Sequence, residues 1–288
     1  MKRMDRHWDS ISADEIFDLA RKLTPEDYAS DWMADPDNVE FAERVLGQEL
    51  FLAFDDGTTA HYAFTTRTEL SFARDGEAPT TMFYRALSPA QHPEVVIVHH
   101  YCDGMLPPTC IELVLDFETG YCVCVEGTLG TDAAYPRNVE STITFGEIAG
   151  GAHPEGSVKP SYTQELVGKA ISWAMPAFTG RPPMKHIYLS PKYYAIFMTR
   201  DEDECYQCAD PADYIKIKDD LYLVVVTEHR RSGMRIAFLI DTNDLHDIGC
   251  HFGISAGNEV GSIEPKIKCS VMTGRTGTFV PMETVFKS

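Results

Sequence analysis

The residues best suited to chemistry are spaced as strand residues. His186 and Tyr188 stand two apart, and Tyr222, Val224, Val226, Glu228 and Arg230 alternate along one run. Residues two apart on a strand share a face. If both faces point into one barrel, an imidazole, a phenol, a carboxylate and a guanidinium converge. His186 or Glu228 then moves a proton: imidazole and carboxylate are the usual acid–base groups, and burial raises a carboxyl toward neutral pH. Tyr188 donates to an oxyanion, and Arg230 holds a substrate carboxylate or phenolate. The competing reading is structural, with Glu228 and Arg230 as a rim ion pair and His186 as a hydrogen-bonded core residue.

An equivalent set lies upstream. His99, Tyr101 and Asp103 share a strand face, with His61 and Glu112 on neighbouring strands. Together with Tyr222 these are the expected substrate-binding residues. His99 and His100 are adjacent, so they face opposite sides and only one serves a given pocket.

Other chemistries are weaker. Cys205-Tyr206-Gln207-Cys208 is a lone C-x-x-C, and structural zinc needs a second pair. His61, His99 and Asp103 resemble an open two-histidine, one-carboxylate set, but no metal or cofactor is assigned from them. Gly253-Ile254-Ser255-Ala256-Gly257 matches a nucleophile elbow, yet no histidine follows His251 and no helix pattern follows Gly257. Phosphate-cradling glycine motifs are missing.

The elements that must position these residues read as strands. Short β-branched and aromatic runs such as Leu50–Phe54, Val95–Tyr101, Ile111–Phe117 and Tyr121–Val125 are cut by Gly, Pro, Asp and Asn. That texture predicts a meandering antiparallel sheet or barrel. The pattern then recurs at a spacing of 125 residues. His61 leads to His186, Phe72 to Phe197, Asp103 to Glu228, and Ile111–Asp116 to Ile236–Asp241. A constant offset indicates an internal duplication. Before residue 47 the chain reads as helical. Ser12-Ala13-Asp14-Glu15 is a capping box, Thr24-Pro25-Glu26-Asp27 a second helix start, and Asp37–Leu46 a third short helix.

The chain has 288 residues, with 25 Lys and Arg against 44 Asp and Glu, a formal charge of −19. Such a surface repels phosphate backbones and anionic bilayers, so neither nucleic acid nor membrane is an expected partner. No apolar run is long enough for a transmembrane helix, and Met1–His7 leads into acidic sequence rather than a signal peptide. The expected location is cytoplasmic, with the 8 cysteines reduced.

Leu46-Gly47, Phe54-Asp55-Asp56-Gly57, Tyr62-Ala63-Phe64 and Leu113-Val114-Leu115-Asp116 resemble the N-terminal half of the MoaF family. Glu165–Lys169, His186–Leu189 and the strand ending Thr227-Glu228 resemble its C-terminal half, which is also similar to phenolic acid decarboxylases. The resemblance implies a lipocalin-like, calycin-type fold with a pocket inside the barrel. The chain departs from the pattern at Lys185, where an acidic residue is usual, and at Val226, where a Trp is usual. The family name refers to molybdenum cofactor biosynthesis, and no residue pattern here points to pterin or molybdenum chemistry.

The expectation is therefore a mainly β protein: two tandem lipocalin-like antiparallel β-barrels with N-terminal helices. A helical segment (1–46) precedes a first barrel (47–149), a linker (150–163) and a second barrel (164–288). The expected activity is cofactor-independent lyase or isomerase chemistry on a small apolar or aromatic molecule. The alternative is a carrier or sensor that binds such a molecule unchanged. The partner is then a small-molecule ligand, and the sequence leaves room for a homodimer.

Overall fold

A computed structural model describes residues 11–24, 39–102, 104–174, 183–201, 204–228, 233–256 and 265–285. Strands form where β-branched and aromatic runs are cut by turn residues. The first half contains β1 (Val39–Phe41), β2 (Glu49–Phe54), β3 (Thr59–Phe64), β4 (Glu69–Arg74) and β5 (Thr80–Pro89). Then come β6 (Val95–Tyr101), β7 (Thr109–Asp116), β8 (Tyr121–Leu129) and β9 (Val139–Ile148). The second half contains β10 (Ser161–Tyr162), β11 (Ala170–Trp173), β12 (Met184–Ser190), β13 (Tyr193–Asp201) and β14 (Glu204–Lys218). It ends with β15 (Leu221–Glu228), β16 (Met234–Asp241), β17 (His246–Ala256) and β18 (Pro265–Phe279).

The first sheet runs β1-β5-β4-β3-β2-β9-β8-β7-β6, and a β5–β6 pairing closes it. The second runs β10-β14-β13-β12-β11-β18-β17-β16-β15, closed by β14–β15. Each is an antiparallel barrel of eight strands, and the second repeats the topology of the first. A barrel of this size is filled by its own side chains or holds one small ligand.

One helix, α1 (Ala13–Ala20), stands where the capping box predicts it. The Glu15 backbone N–H donates to Ser12 Oγ, and the Ser12 N–H donates back to the Glu15 carboxylate. Ile16 and Ala20 bury against Leu129, Val139, Ile254 and Ile267, where the two barrels meet. The second expected helix start falls, after Thr24, outside the described residues. The third expected helix is a correction: Val39–Phe41 is strand β1, followed by a 3-10 turn at Glu43–Val45. β1 pairs with the end of β5 (Val39 opposite Pro89, Phe41 opposite Leu87), and that ladder outweighs a weak helical preference. Among the described residues, no helix is long and apolar enough to cross a membrane.

The barrels dock through like surfaces. Val95, Ile97 and Val114 of the first pack with Leu221, Leu223 and Leu239 of the second. These positions are register equivalents, since Val95 and Leu221 lie opposite Asp116 and Asp241 respectively. Asp116 and Asp241 close equivalent turns, each accepting from the N–H two residues on. Each also meets the other barrel: Lys218 Nζ lies 3.7 Å from Asp116, and His92 Nε2 3.2 Å from Asp241. Arg235 Nη2 lies 3.4 Å from the carbonyl of Cys110, its own counterpart 125 residues earlier. The contact is thus that of a symmetric dimer joined into one chain.

The constant offset holds on some strands and slips on others. It is 125 for β7 with β16 and β8 with β17, judged by their shared pairings. On β3 and β12 it is one less. The Gly47 N–H donates to the Phe64 carbonyl as the Gly168 N–H does to Tyr188, so Tyr62 matches His186 and His61 matches Lys185. On β6 and β15 it is one more, and Cys102 matches Glu228. A one-residue slip moves a side chain to the opposite face of the sheet. The expected pairings of His61 with His186 and of Phe72 with Phe197 therefore do not hold, since Phe72 lies opposite Tyr62 as Ile196 lies opposite His186, and Asp103 lies outside the described residues.

Candidate functional site

The first barrel contains open space at one end. A cavity of about 340 Å³ is lined by Phe72, Ala73, Met82, Cys102 and Met105, with Arg74 and Glu77 as charged members. A second of about 200 Å³ shares Phe72 and Arg74 and reaches Tyr62, Cys124, Glu126 and Thr144. Arg74, at the end of β4, forms an ion pair with Glu126 of β8, and both are half-buried. Alternation puts Ala60, Tyr62 and Phe64 on the inward face of β3, and Val96, Val98 and His100 on that of β6. Tyr62 Oη and His100 Nε2 lie 3.2 Å apart, deep in the barrel. Burial, then the neighbouring His99, pushes the His100 imidazole down to about 3. Burial pushes the Tyr62 phenol well above its ordinary value. Both groups are neutral across the physiological range. They supply hydrogen bonds rather than charge.

The second barrel is packed differently. His186 sits inside among Trp173, Tyr194 and Phe238, with ring centroids 6.0, 5.1 and 5.5 Å away. Tyr188 is on the same inward face, 5.7 Å from the Tyr214 ring. His186 Nε2, Tyr188 Oη and Trp173 Nε1 are buried without a well-formed hydrogen bond, although the Trp173 N–H is turned toward the Tyr188 hydroxyl. Leaving such a group unpaired costs about 1–3 kcal/mol. Arg275 lies between the Trp173 and Phe238 rings, at 5.0 and 4.8 Å, and its Nε donates to both oxygens of Asp247 at 3.0 Å. Burial, and then the positive charge of Arg275, drives the His186 imidazole well below its ordinary value.

Of the expected catalytic set, His186, Tyr188 and Glu228 face the second barrel's interior, and Arg230 lies outside the described residues. Glu228 closes β15 at the barrel end, half-buried. After burial itself, its charge is the next cause raising the Tyr194 phenol. Tyr222 is a correction. It lies six residues along the strand from Glu228, about 20 Å at strand rise. Its hydroxyl donates to Glu165 Oε2 at 2.5 Å at the other end of the barrel.

The expected set of the first barrel points outward. His61 stacks on the exposed Phe51 ring at 4.3 Å and lies 2.8 Å from Glu49, away from the cavity. His99, Tyr101 and Glu112 face the second barrel. His99 Nδ1 is 3.2 Å from Glu112 Oε1, and Glu112 forms a buried ion pair with Arg235. Burial pushes the Glu112 carboxyl up, but Arg235 and His99 outweigh it and hold the group below its ordinary value. The cavity residues Tyr62, Arg74 and Glu126, and His100 beside Tyr62, are the ones that strand spacing missed. Cys208, from the C-x-x-C, donates to Asp210 at 2.8 Å.

Two buried neutral histidines make stability pH-dependent. The unfolded chain protonates them near pH 6.5, whereas the folded state refuses the proton until far lower pH. Their contribution is complete above about pH 6.5 and falls with pH by about 1.4 kcal/mol per unit for each histidine. Urea unfolding at neutral pH and about one unit below 6.5 should show this loss, and His186→Leu should remove about half of the histidine-linked part.

The MoaF N-terminal domain family matches residues 35–131, and the MoaF C-terminal domain family matches residues 160–272. No curated protein matches the chain closely enough to be named as a relative.

Proposed function

This chain belongs to the MoaF family, and from that premise we propose that it is a small-molecule binder whose ligand sits in the open end of the first barrel. The carrying observation is the cavity of about 340 Å³, apolar along Phe72, Met82 and Met105 and charged only at Arg74 and Glu77. Its size falls in the range that holds a small ligand. The apolar wall suits an aromatic or alicyclic body. The Arg74 guanidinium suits a carboxylate or phenolate, and Glu126, in the adjoining cavity of about 200 Å³, a hydroxyl. Binding without turnover is the better reading, because a proton-transfer group works best with a pKa near the operating pH. Tyr62 and His100 are held far from it.

The test is calorimetric titration with a panel of aromatic and alicyclic carboxylates. Arg74→Leu should weaken binding about 10- to 100-fold, the value of a hydrogen bond to a charged group. Glu77→Gln at the exposed rim should change it little. Equal affinity of Arg74→Leu and wild type would remove this site from consideration.

Lyase or isomerase chemistry is the second reading, and the buried His186 Nε2, which has no hydrogen-bond partner, favours it. It requires turnover of some panel member that His186→Ala or Glu228→Gln abolishes while binding survives.

A further inference from the structure

The apolar contact between barrels is symmetric, but the polar residues at its centre are not. His99, Cys110 and Glu112 of the first barrel correspond by register to Val225, Arg235 and Ala237 of the second. The first barrel thus brings a histidine and a thiol where the second has valine and arginine. Around them close two more thiols, Cys250 of β17 and Cys269 of β18. All four donors are at most 3 % exposed.

We propose that His99, Cys110 and Cys269 bind a thiolate-preferring metal ion of the zinc class, with Cys250 as the fourth ligand, and that this ion staples the two barrels together. The distances carry the argument. A tetrahedral zinc with ordinary bond lengths places two sulfurs about 3.8 Å apart and each about 3.5 Å from an imidazole nitrogen. Here the sulfurs of Cys110 and Cys269 are 3.6 Å apart. His99 Nε2 is 3.1 Å from Cys269 Sγ and 3.9 Å from Cys110 Sγ. The triangle already has the size of one ion's coordination shell.

The second ring nitrogen supports the same assignment. A metal-bound histidine generally donates its other N–H to a carboxylate, which fixes the ring and its tautomer. His99 Nδ1 faces Glu112 Oε1 at 3.2 Å, and Arg235 holds Glu112 from the other side. That leaves the Nε2 lone pair directed at the sulfurs. Cys110 Sγ also lies 3.5 Å from Nδ1, so a small side-chain rotation brings it fully to the Nε2 side on loading. Cys250 borders His99 but lies outside the tight triangle, and it completes the set by a similar rotation. With no solvent-facing position the ion's role is structural, and it loads as the barrels dock. Each thiol gives up its proton to solvent on binding, and nothing is oxidised.

The full chain should be produced with zinc in the medium and purified anaerobically. About one zinc per chain is expected. X-ray absorption at the zinc edge should show one nitrogen near 2.0–2.1 Å and two or three sulfurs near 2.3 Å. Refolding with Co²⁺ should give thiolate-to-cobalt charge-transfer absorption. Cys269→Ala should lose the metal, and Cys124→Ala, inside the first barrel, should keep it. Three results overturn the proposal: no stoichiometric metal together with no cobalt–thiolate band, zinc retained in a folded Cys269→Ala, or a Cys110–Cys269 disulfide in the anaerobic protein. If Cys269→Ala does not fold, the wild-type edge spectrum decides alone, and a shell without sulfur refutes the site.

Discussion

Arg235→Leu is expected to lower the unfolding free energy by about 3–5 kcal/mol, the usual cost of removing one partner from a buried ion pair. Arg235 comes from β16 and Glu112 from β7, so the pair spans the two barrels, and neither side chain is exposed. Removing the guanidinium leaves Glu112 charged beside His99, among apolar contacts. The carboxyl now lies below its ordinary value, although burial works against that, mainly because of Arg235. Without Arg235, burial works to raise it and His99 alone opposes. Adding Glu112→Leu should restore most of the loss, since an apolar pair of similar volume replaces a buried ion pair at little cost. Urea unfolding of the wild type and the single and double variants measures this. A loss that the second substitution leaves unchanged would place the effect in packing rather than in charge.

Arg275→Met should cost a similar ~3–5 kcal/mol near neutral pH, with a distinctive pH dependence. Asp247 is fully buried, and burial already outweighs Arg275 and raises its carboxyl. Without the guanidinium the folded-state pKa climbs further. A carboxyl raised by folding costs stability as pH rises through its folded value, and the cost vanishes when both states are protonated. The difference between Arg275→Met and wild type should therefore shrink as pH falls from about 7 toward 5. Lost ring contacts with Trp173 and Phe238 are independent of pH and set the residue that remains. A difference that is constant with pH would mean that Asp247 stays ionised without its partner.

Much of the fold is legible in the residues. Each barrel announces itself through short aromatic and β-branched runs, and Asp116 and Asp241 mark the same turn twice. The capping box at Ser12 and Glu15 is read correctly because it is a local hydrogen-bonding device. Facing is harder. Val95–Tyr101 is buried at every position, one face lining the first barrel and the other pressed on the second. Alternation identifies the inward side only when the outer side is polar. His99 and His100 therefore look alike in sequence, and His100 is the one that meets Tyr62. Offsets that differ by one residue between strands hid the match of Tyr62 with His186 for the same reason. The cluster of thiols around His99 leaves no local sequence signal, because Cys110 and Cys269 stand 159 residues apart and meet only when the barrels dock. β1 reads as helix in the sequence because its partner, the end of β5, is nearly fifty residues away.

The ligand is expected to occupy the first barrel's mouth. Methyl NMR with labelled methionine tests it most directly, because Met82 and Met105 line that cavity and Met184 belongs to the second barrel's core. Titration with a ligand that binds by calorimetry should shift the Met82 and Met105 methyl signals saturably, leave Met184 unmoved, and lose the shifts in Arg74→Leu. Binding that leaves Met82 and Met105 unchanged while Met184 moves would contradict the account and put the ligand beside His186 instead.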